Sequence, residues 1–342
     1  MSSQLFDVLL HIELDTGDDQ EKLVPKIKYK FPDRSEKGLE SIVQFCFPDV
    51  DIIRAESKMQ SQTFSFVLTE VSGERRFGYC RRLLPKGSGK RLPQCFCITS
   101  FFPCFSVFSA ILDEVELRWR GPSFKAVTFF VEAILQERFP EPGQALTVSV
   151  CSWDKPGQVD DHSFLRPSDS DSMLDHVSLE PLLLALDTHN LLLLLGSLLV
   201  ERRVIFVSAN LSQLSACVQA AVALLYPFSW QHVYIPVLPS TLLAYCCAPM
   251  PFVVGVLETS LLELSELPLE ETLIVDLDEN KFLRYPDPEA PEQDMDALDA
   301  FHLAPVVSAL TDARLSCGGR KGKTQALTPA EKGRLTSAVL KF

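Results

Sequence analysis

The segment Glu201–Val256 constrains this chain more than any other. A short β-branched run, Val204-Ile205-Phe206-Val207, is punctuated by Ser208 to Asn210. Leu211 to Leu225 then places Leu211, Leu214, Cys217, Val218, Ala221 and Leu225 at helical spacing until Pro227 stops the helix. Val233-Tyr234-Ile235 returns as a second strand. A strand–helix–strand unit of this size reads as a right-handed βαβ crossover, the building block of a parallel sheet covered on both faces.

What surrounds that unit narrows the function classes. At 342 residues the chain has room for two or three domains, each with its own core. A net charge of −13 argues against sequence-independent nucleic-acid binding, which needs a basic face on the phosphates. The charge is uneven, because the stretch from Thr311 to Phe342 carries seven Lys/Arg against two Asp/Glu. Ten cysteines without a basic, cleavable leader read as reduced thiols in the cytosol. Cys95-Phe96-Cys97 and Cys246-Cys247 lack the spacing of a zinc site, so buried small side chains are expected there, with no metal and no cofactor. Leu182 to Val200 is Leu-rich, but Asp187, Thr188, His189 and Asn190 interrupt its centre. It reads as a core helix, or two joined near Thr188, rather than a membrane span.

Organisation follows from periodicity and breakers. Leu5–Leu14 reads as a first strand, Asp15–Lys22 as a charged turn, and Ser41–Ile53 as an apolar stretch broken by Pro48. Thr63–Thr69 and Arg76–Arg82 make a hairpin with Ser72-Gly73 in the turn, and Gln94–Thr99 is a further strand. Phe105–Trp119 is a helix with Val107, Phe108, Ile111, Leu112 and Val115 on its apolar face, and Ser123 caps a second helix over Phe124–Arg138. Residues 1–150 thus form an N-terminal α/β module. Residues 151–176 read as an acidic, breaker-rich linker, whose Ser168–Ser172 run of serines and aspartates is either a solvated loop or a target for an acid-directed kinase. A central α/β module with a mostly parallel sheet spans 177–298 and includes a strand in Glu270–Asp278 with an acidic end. From 299 to 342 a helical pattern begins at Asp299 and fades after Leu310 into a basic tail.

Three ordered blocks carry a resemblance. Glu201-Arg202-Arg203 with its strand, the block Tyr226-Pro227-Phe228-Ser229-Trp230-Gln231-His232-Val233-Tyr234-Ile235-Pro236-Val237-Leu238-Pro239, and Ala248-Pro249-Met250-Pro251-Phe252-Val253-Val254-Gly255-Val256 resemble the central segment of a DENN domain, most closely in the second subgroup of DENN-domain-containing proteins. The resemblance extends more weakly from Leu5 to about Leu310. It implies a longin-like N-terminal module, a central α/β module, and a helical C-terminal segment that is largely missing or divergent here. It also implies a guanine-nucleotide exchange factor for a Rab small GTPase in vesicle trafficking, through the subgroup one of late-endosome-to-Golgi traffic. Localisation would be cytoplasmic, with peripheral recruitment to endosomal or Golgi membranes. The alternative is a Rab-binding or inert splice or truncated form without exchange activity.

Enzyme motifs fail on inspection. Lys86-Gly87-Ser88-Gly89-Lys90-Arg91 has Leu84 where a phosphate-binding loop needs its first glycine, and Arg91 in place of Ser/Thr. HExxH, GxSxG and GxGxxG do not occur. His162 beside Asp160 and Asp161 has no nucleophile implied near it. Exchange needs no triad, only a surface that binds the nucleotide-free GTPase better than the loaded one. The GTPase-interface candidates are therefore Trp230, Gln231, His232, Asp276 and Asp278, expected as surface groups near a groove between the two modules. A structural reading of His232 and its neighbours, packing at a domain joint, stands beside this. Glu201, Arg202 and Arg203 are structural ion-pair candidates at a helix-to-strand junction.

Overall fold

The computed structural model describes residues 4–16, 22–33, 38–69, 73–153, 155, 157–167, 177–226, 228–284 and 304–318, with Arg334 and Ser337. The chain divides into two compact units, Met1–Ser170 and Asp171–Phe342. No helix among the described residues is long and apolar enough to cross a membrane.

The first unit is built on an antiparallel sheet. Its strands are β1 (Val8–Thr16), β2 (Leu23–Phe31), β3 (Gln62–Thr69), β4 (Arg75–Leu83) and β5 (Gln94–Ser100), in the order β2-β1-β5-β4-β3. The expected hairpin is β3 and β4, with Gly73 at a φ of 85° leading into β4. Strand β2 falls where no strand was expected. Pro25 and three lysines weaken its signal, yet an edge strand tolerates both, because a missing N–H costs nothing on the open side and lysines deter further pairing. Helix α1 (Leu39–Cys46) follows β2. Helices α2 (Phe105–Trp119) and α3 (Lys125–Leu135) bury Phe108, Leu112, Val127 and Phe130 against Leu9, Tyr79, Phe96 and Ile98. Side chains alternate along a strand, so Cys80, Cys97, Phe64 and Phe66 lie on the opposite face. There α1 packs, with Phe45 stacked on Phe66 at 5.1 Å.

A correction concerns the expected linker. Strand β6 (Ala145–Cys151) pairs in antiparallel register with β7 (Val159–Leu165), so residues 159–165 belong to the first unit. Acidic and small residues hid this strand, since Asp160, Asp161 and Ser163 occupy it while its Phe164 supplies buried apolar surface. The Ser168–Ser172 run and residues 17–21 of the expected charged turn lie outside the described residues.

The second unit opens with α4 (Glu180–Ala185) and α5 (Thr188–Leu199), so the Leu-rich stretch is two helices joined near Thr188. Then come β8 (Arg203–Ser208), α6 (Leu211–Ala223) and β9 (Val233–Ile235). After a 3-10 helix over Ser240–Cys247 follow β10 (Phe252–Leu257), α7 (Leu261–Ser265), β11 (Thr272–Asp276) and β12 (Lys281–Arg284). The sheet order is β12-β11-β8-β10-β9, parallel except for β12. The crossover from β8 through α6 to β9 is present, but the two strands are not neighbours. Strand β10, obscured by Pro249, Pro251 and Gly255, inserts between them. Gly255 is required there, because a Cβ on it would stand 2.1 Å from the Pro236 carbonyl oxygen. Helix α6 covers the Gly255 face, while α7 joins the cluster of Ile205, Val254, Val256 and Leu264 on the other. Helix α8 (Ala304–Gly318) continues past Leu310, where the sequence pattern fades, and buries Leu310, Ala313 and Cys317 along one stripe. Apart from Arg334 and Ser337, the basic tail beyond it lies outside the described residues.

Candidate functional site

In an open parallel sheet, ligands gather beyond the carboxyl ends of the strands, where successive crossovers pass on opposite faces. Here that edge is formed by the ends of β8 and β11. The loop Asp276–Asn280 closes over it. Asp276 Oδ1 accepts from the N–H groups of Asp278 and Glu279, both at 3.0 Å, which bends the chain into an Asx turn. Asp278 reaches across to β8, accepting from the Ser208 hydroxyl at 3.0 Å and the Ala209 N–H at 2.7 Å. Asn210 caps α6 through the N–H groups of Ser212 and Gln213, at 2.9 and 3.2 Å. The left-handed Asn280 (φ 50°) accepts from the Asp187 N–H and donates its amide to Asp187 Oδ2, both at 2.9 Å. Asn190 donates to the Asn280 carbonyl at 2.9 Å, and Asp187 Oδ1 caps α5 through the Asn190 N–H at 2.9 Å.

The loop is therefore clamped to the N-termini of two helices. Beside it lies an open pocket of about 680 Å³, lined by Glu180, Leu184, Gln213, Asp278, Asn280 and Arg314. Arg314 of α8 donates to the Leu183 carbonyl at 3.1 Å. Burial pushes the Asp187 carboxyl up, but the Asn190 N–H, the Asn280 amide, Arg314 and His189 more than offset it and hold it below its ordinary value. The site presents carboxylates, amides and one guanidinium on a rigid frame, which suits recognition of a polar protein surface.

The other candidates lie at the opposite end of the strands. Residues 201–202 precede β8, Arg203 opens it, and 230–232 precede the parallel β9, so they sit at the amino edge of the sheet, roughly 20 Å from Asp276 and Asp278. The five interface candidates thus form two groups, not one. Trp230 is not a surface group, being 3% exposed, with its indole N–H on the Val233 carbonyl at 3.1 Å. It packs edge-on against His232, centroids 5.3 Å apart. Gln231 is exposed and donates to Ser229 Oγ at 2.6 Å. A pocket of about 550 Å³ beside them is lined by Leu198, Glu201, Leu225, Phe228 and Trp230.

The Glu201–Arg203 triplet does three separate jobs. Glu201 takes the left-handed position after α5, at a φ of 55°. The Glu201 and Arg202 N–H groups close the helix on the Leu198 and Ser197 carbonyls, at 3.1 and 2.9 Å, which is a Schellman turn with Glu where glycine is usual. Arg202 also donates to Ser197 Oγ at 3.2 Å. Glu201 faces His232 at 3.1 Å, an ion pair when the imidazole is protonated, and Arg203 lies 3.7 Å from Glu271.

Sequence reasoning missed Asp187, Asn190, Asn280 and Arg314. An Asp immediately before a Leu-rich helix and an Asn after an acidic strand end were the available signals; their meeting, about ninety residues apart, was not visible locally.

A family model described as the DENN (AEX-3) domain matches residues 91–280, and the uDENN domain matches 25–83. The chain is 45% identical over 295 residues to DENN domain-containing protein 2B of Mus musculus, covering 84% of this chain and 26% of that protein. It is 45% identical over 296 residues to DENN domain-containing protein 2A of Homo sapiens, covering 84% and 29%. Against human DENN domain-containing protein 2D the identity is 42% over 288 residues, covering 81% and 60%. The chain therefore spans only about a quarter to three-fifths of these relatives' lengths.

Proposed function

The chain belongs to the DENN-domain family, and on that premise we propose that it promotes GDP release and GTP loading on a Rab small GTPase in membrane traffic. The observation that carries this reading is the DENN match across residues 91–280, which encloses the four parallel strands of the second sheet. Members of that family act as Rab exchange factors. The likeness to the 2A, 2B and 2D proteins favours a Rab of late-endosome-to-Golgi traffic, reached from the cytoplasm by peripheral recruitment to endosomal or Golgi membranes.

Exchange of this kind forms no covalent bond. An interface that weakens nucleotide affinity tenfold supplies about 1.4 kcal/mol of differential binding, by holding the GTPase switch segments in a shape the nucleotide does not favour. Among the candidates, Gln231, His232 and Asp278 offer accessible atoms for such contacts, while Trp230 and Asp276 position them.

The test is release of fluorescent GDP from a panel of purified Rabs. We expect acceleration on one or two of them, and a roughly tenfold slower rate with Gln231→Ala or Asp278→Lys. A monodisperse chain that accelerates none of the panel overturns the reading; binding to the nucleotide-free Rab in that case would leave a Rab-binding module without exchange.

A further inference from the structure

We propose that Cys46, Cys80, Cys95 and Cys97 form a buried four-sulfur site for a thiophilic divalent cation, zinc, on the α1 face of the first sheet. No short spacing announces it, because the ligands come from three elements. In the register of β4 and β5, Cys80 stands opposite Cys97 and Arg82 opposite Cys95, so all three thiols share one face. Helix α1 crosses that face and brings Cys46, whose sulfur lies 3.7 Å from that of Cys80. The sulfur atoms of Cys46, Cys80 and Cys97 all lie within 4.8 Å of one another. Cys95, two residues along β5 from Cys97 and on the same face, is the fourth sulfur of the proposal; its thiol donates to the Phe96 carbonyl at 3.5 Å and leaves that carbonyl on binding metal. All four residues are fully buried.

Tetrahedral zinc at 2.3 Å from each thiolate sets its sulfurs about 3.8 Å apart. One edge of the cluster already has that spacing, and the other two among Cys46, Cys80 and Cys97 close by about 1 Å or less. Packing alone accounts for small buried thiols, but not for the unmatched donor beside them. Arg82 is almost fully buried and holds Asp49 with both terminal nitrogens, at 2.9 and 2.7 Å, under the rings of Phe47 and Phe64. Its Nε–H is buried without an acceptor among the described residues. An unmatched buried donor is costly, and a thiolate cluster next to it provides an acceptor. Thiolate ligands select zinc over harder cations, and the d¹⁰ ion accepts the tetrahedron the protein offers. Binding exchanges protons for metal: Zn²⁺ and four thiols give the tetrathiolate complex and four released protons. The bound ion ties α1, eight residues long and without a side-chain N-cap, to the sheet.

The experiment is metal analysis of the full chain, purified under reducing conditions without chelator, followed by cobalt(II) replacement. We expect about one zinc per chain, and on replacement the sulfur-to-cobalt charge-transfer absorption of a tetrahedral thiolate site. Cys97→Ser should abolish that absorption, while the Cys217→Ser/Cys246→Ser pair should leave it intact. If Cys97→Ser does not fold, the wild-type cobalt spectrum decides alone. A monodisperse chain without zinc and without charge-transfer absorption on cobalt titration overturns the proposal. So does a disulfide among these cysteines in the reduced preparation, or an unchanged spectrum in Cys97→Ser.

Discussion

The two sheets bury different things. In the first unit the buried polar groups among the described residues include Arg82, Glu116 and Arg118, whereas in the second they are Ser197, Ser208, Ser215, Ser260 and Thr272, all neutral. The reason lies in strand direction. A parallel sheet covered on both faces takes continuous apolar strands, such as Val204–Val207 and Phe252–Leu257, and its buried polar groups sit at strand ends, as Ser208 and Thr272 do, or in helices, as Ser197 and Ser215 do. The antiparallel sheet alternates, and long arginines laid along its surface meet carboxylates from the helix above. Arg81 reaches Glu116 at 2.6 Å and Asp113 at 2.7 Å, and Arg120 joins Glu116 at 2.7 Å. Charge is thus a structural material in one unit and a boundary feature in the other.

The contrast breaks most readily at Arg118, which is 1% exposed, lies 2.8 Å from Glu114 and 2.8 Å from His162, and covers the Phe130 ring. Arg118→Ala strands a shielded carboxylate and should cost about 3–5 kcal/mol in urea unfolding, whereas Arg118→Met with Glu114→Gln should cost clearly less. A loss below about 1 kcal/mol for Arg118→Ala would show that the buried charges carry no weight.

The sheet glycines sharpen it at the next scale. A Cβ on Gly78 meets the Phe66 ring at 2.1 Å, and one on Gly255 meets a backbone oxygen at the same distance. Each Gly→Ala change should cost about 1–3 kcal/mol, the Gly255 change at the upper end. Phe66→Leu should restore much of the loss at Gly78, since a side chain can yield, and no side-chain change should rescue Gly255→Ala. Equal rescue at both sites would contradict this account.

The smallest effect expected is on acid sensitivity. Burial pushes the Glu116 carboxyl up, but Ser61, Arg120 and Arg81 more than offset it, and it titrates below its ordinary value, as Asp187 does in the second unit. A lowered folded-state value means stability present above the unfolded pKa and lost as pH falls through the folded one. Hydrogen exchange read by mass spectrometry, unit by unit from neutral pH downward, should therefore show protection falling only below the ordinary carboxylate range. Glu116→Gln should flatten the acid response of the first unit alone, and Asp187→Asn that of the second. A response that Glu116→Gln leaves unchanged would remove Glu116 from the explanation.

How much of this was legible varied with the range of the signal. Phe105–Trp119 and Val233–Ile235 were read to the residue, because periodicity and breakers are local. Strands β2, β7 and β10 were not, since lysine, aspartate and proline override strand propensity when neighbouring strands supply the pairing. At the site, Asp276 and Asp278 were picked from an acidic strand end. That their carboxylates hold the loop and the start of α6, and that Trp230 is buried, depended on contacts from elsewhere.

By itself the sequence determined that two α/β modules form, which segments are helices around Phe105 and Leu211, and, through its ordered motifs, the family. Those properties depend on residues within a turn or two of each other, or on the order of blocks. Tertiary structure alone decided that β10 separates β8 from β9, that the interface candidates fall at opposite edges of one sheet, and that Cys46, Cys80 and Cys97 meet. Each of these is a pairing between residues far apart in the chain, chosen by the burial it completes, and no local pattern specifies such a choice.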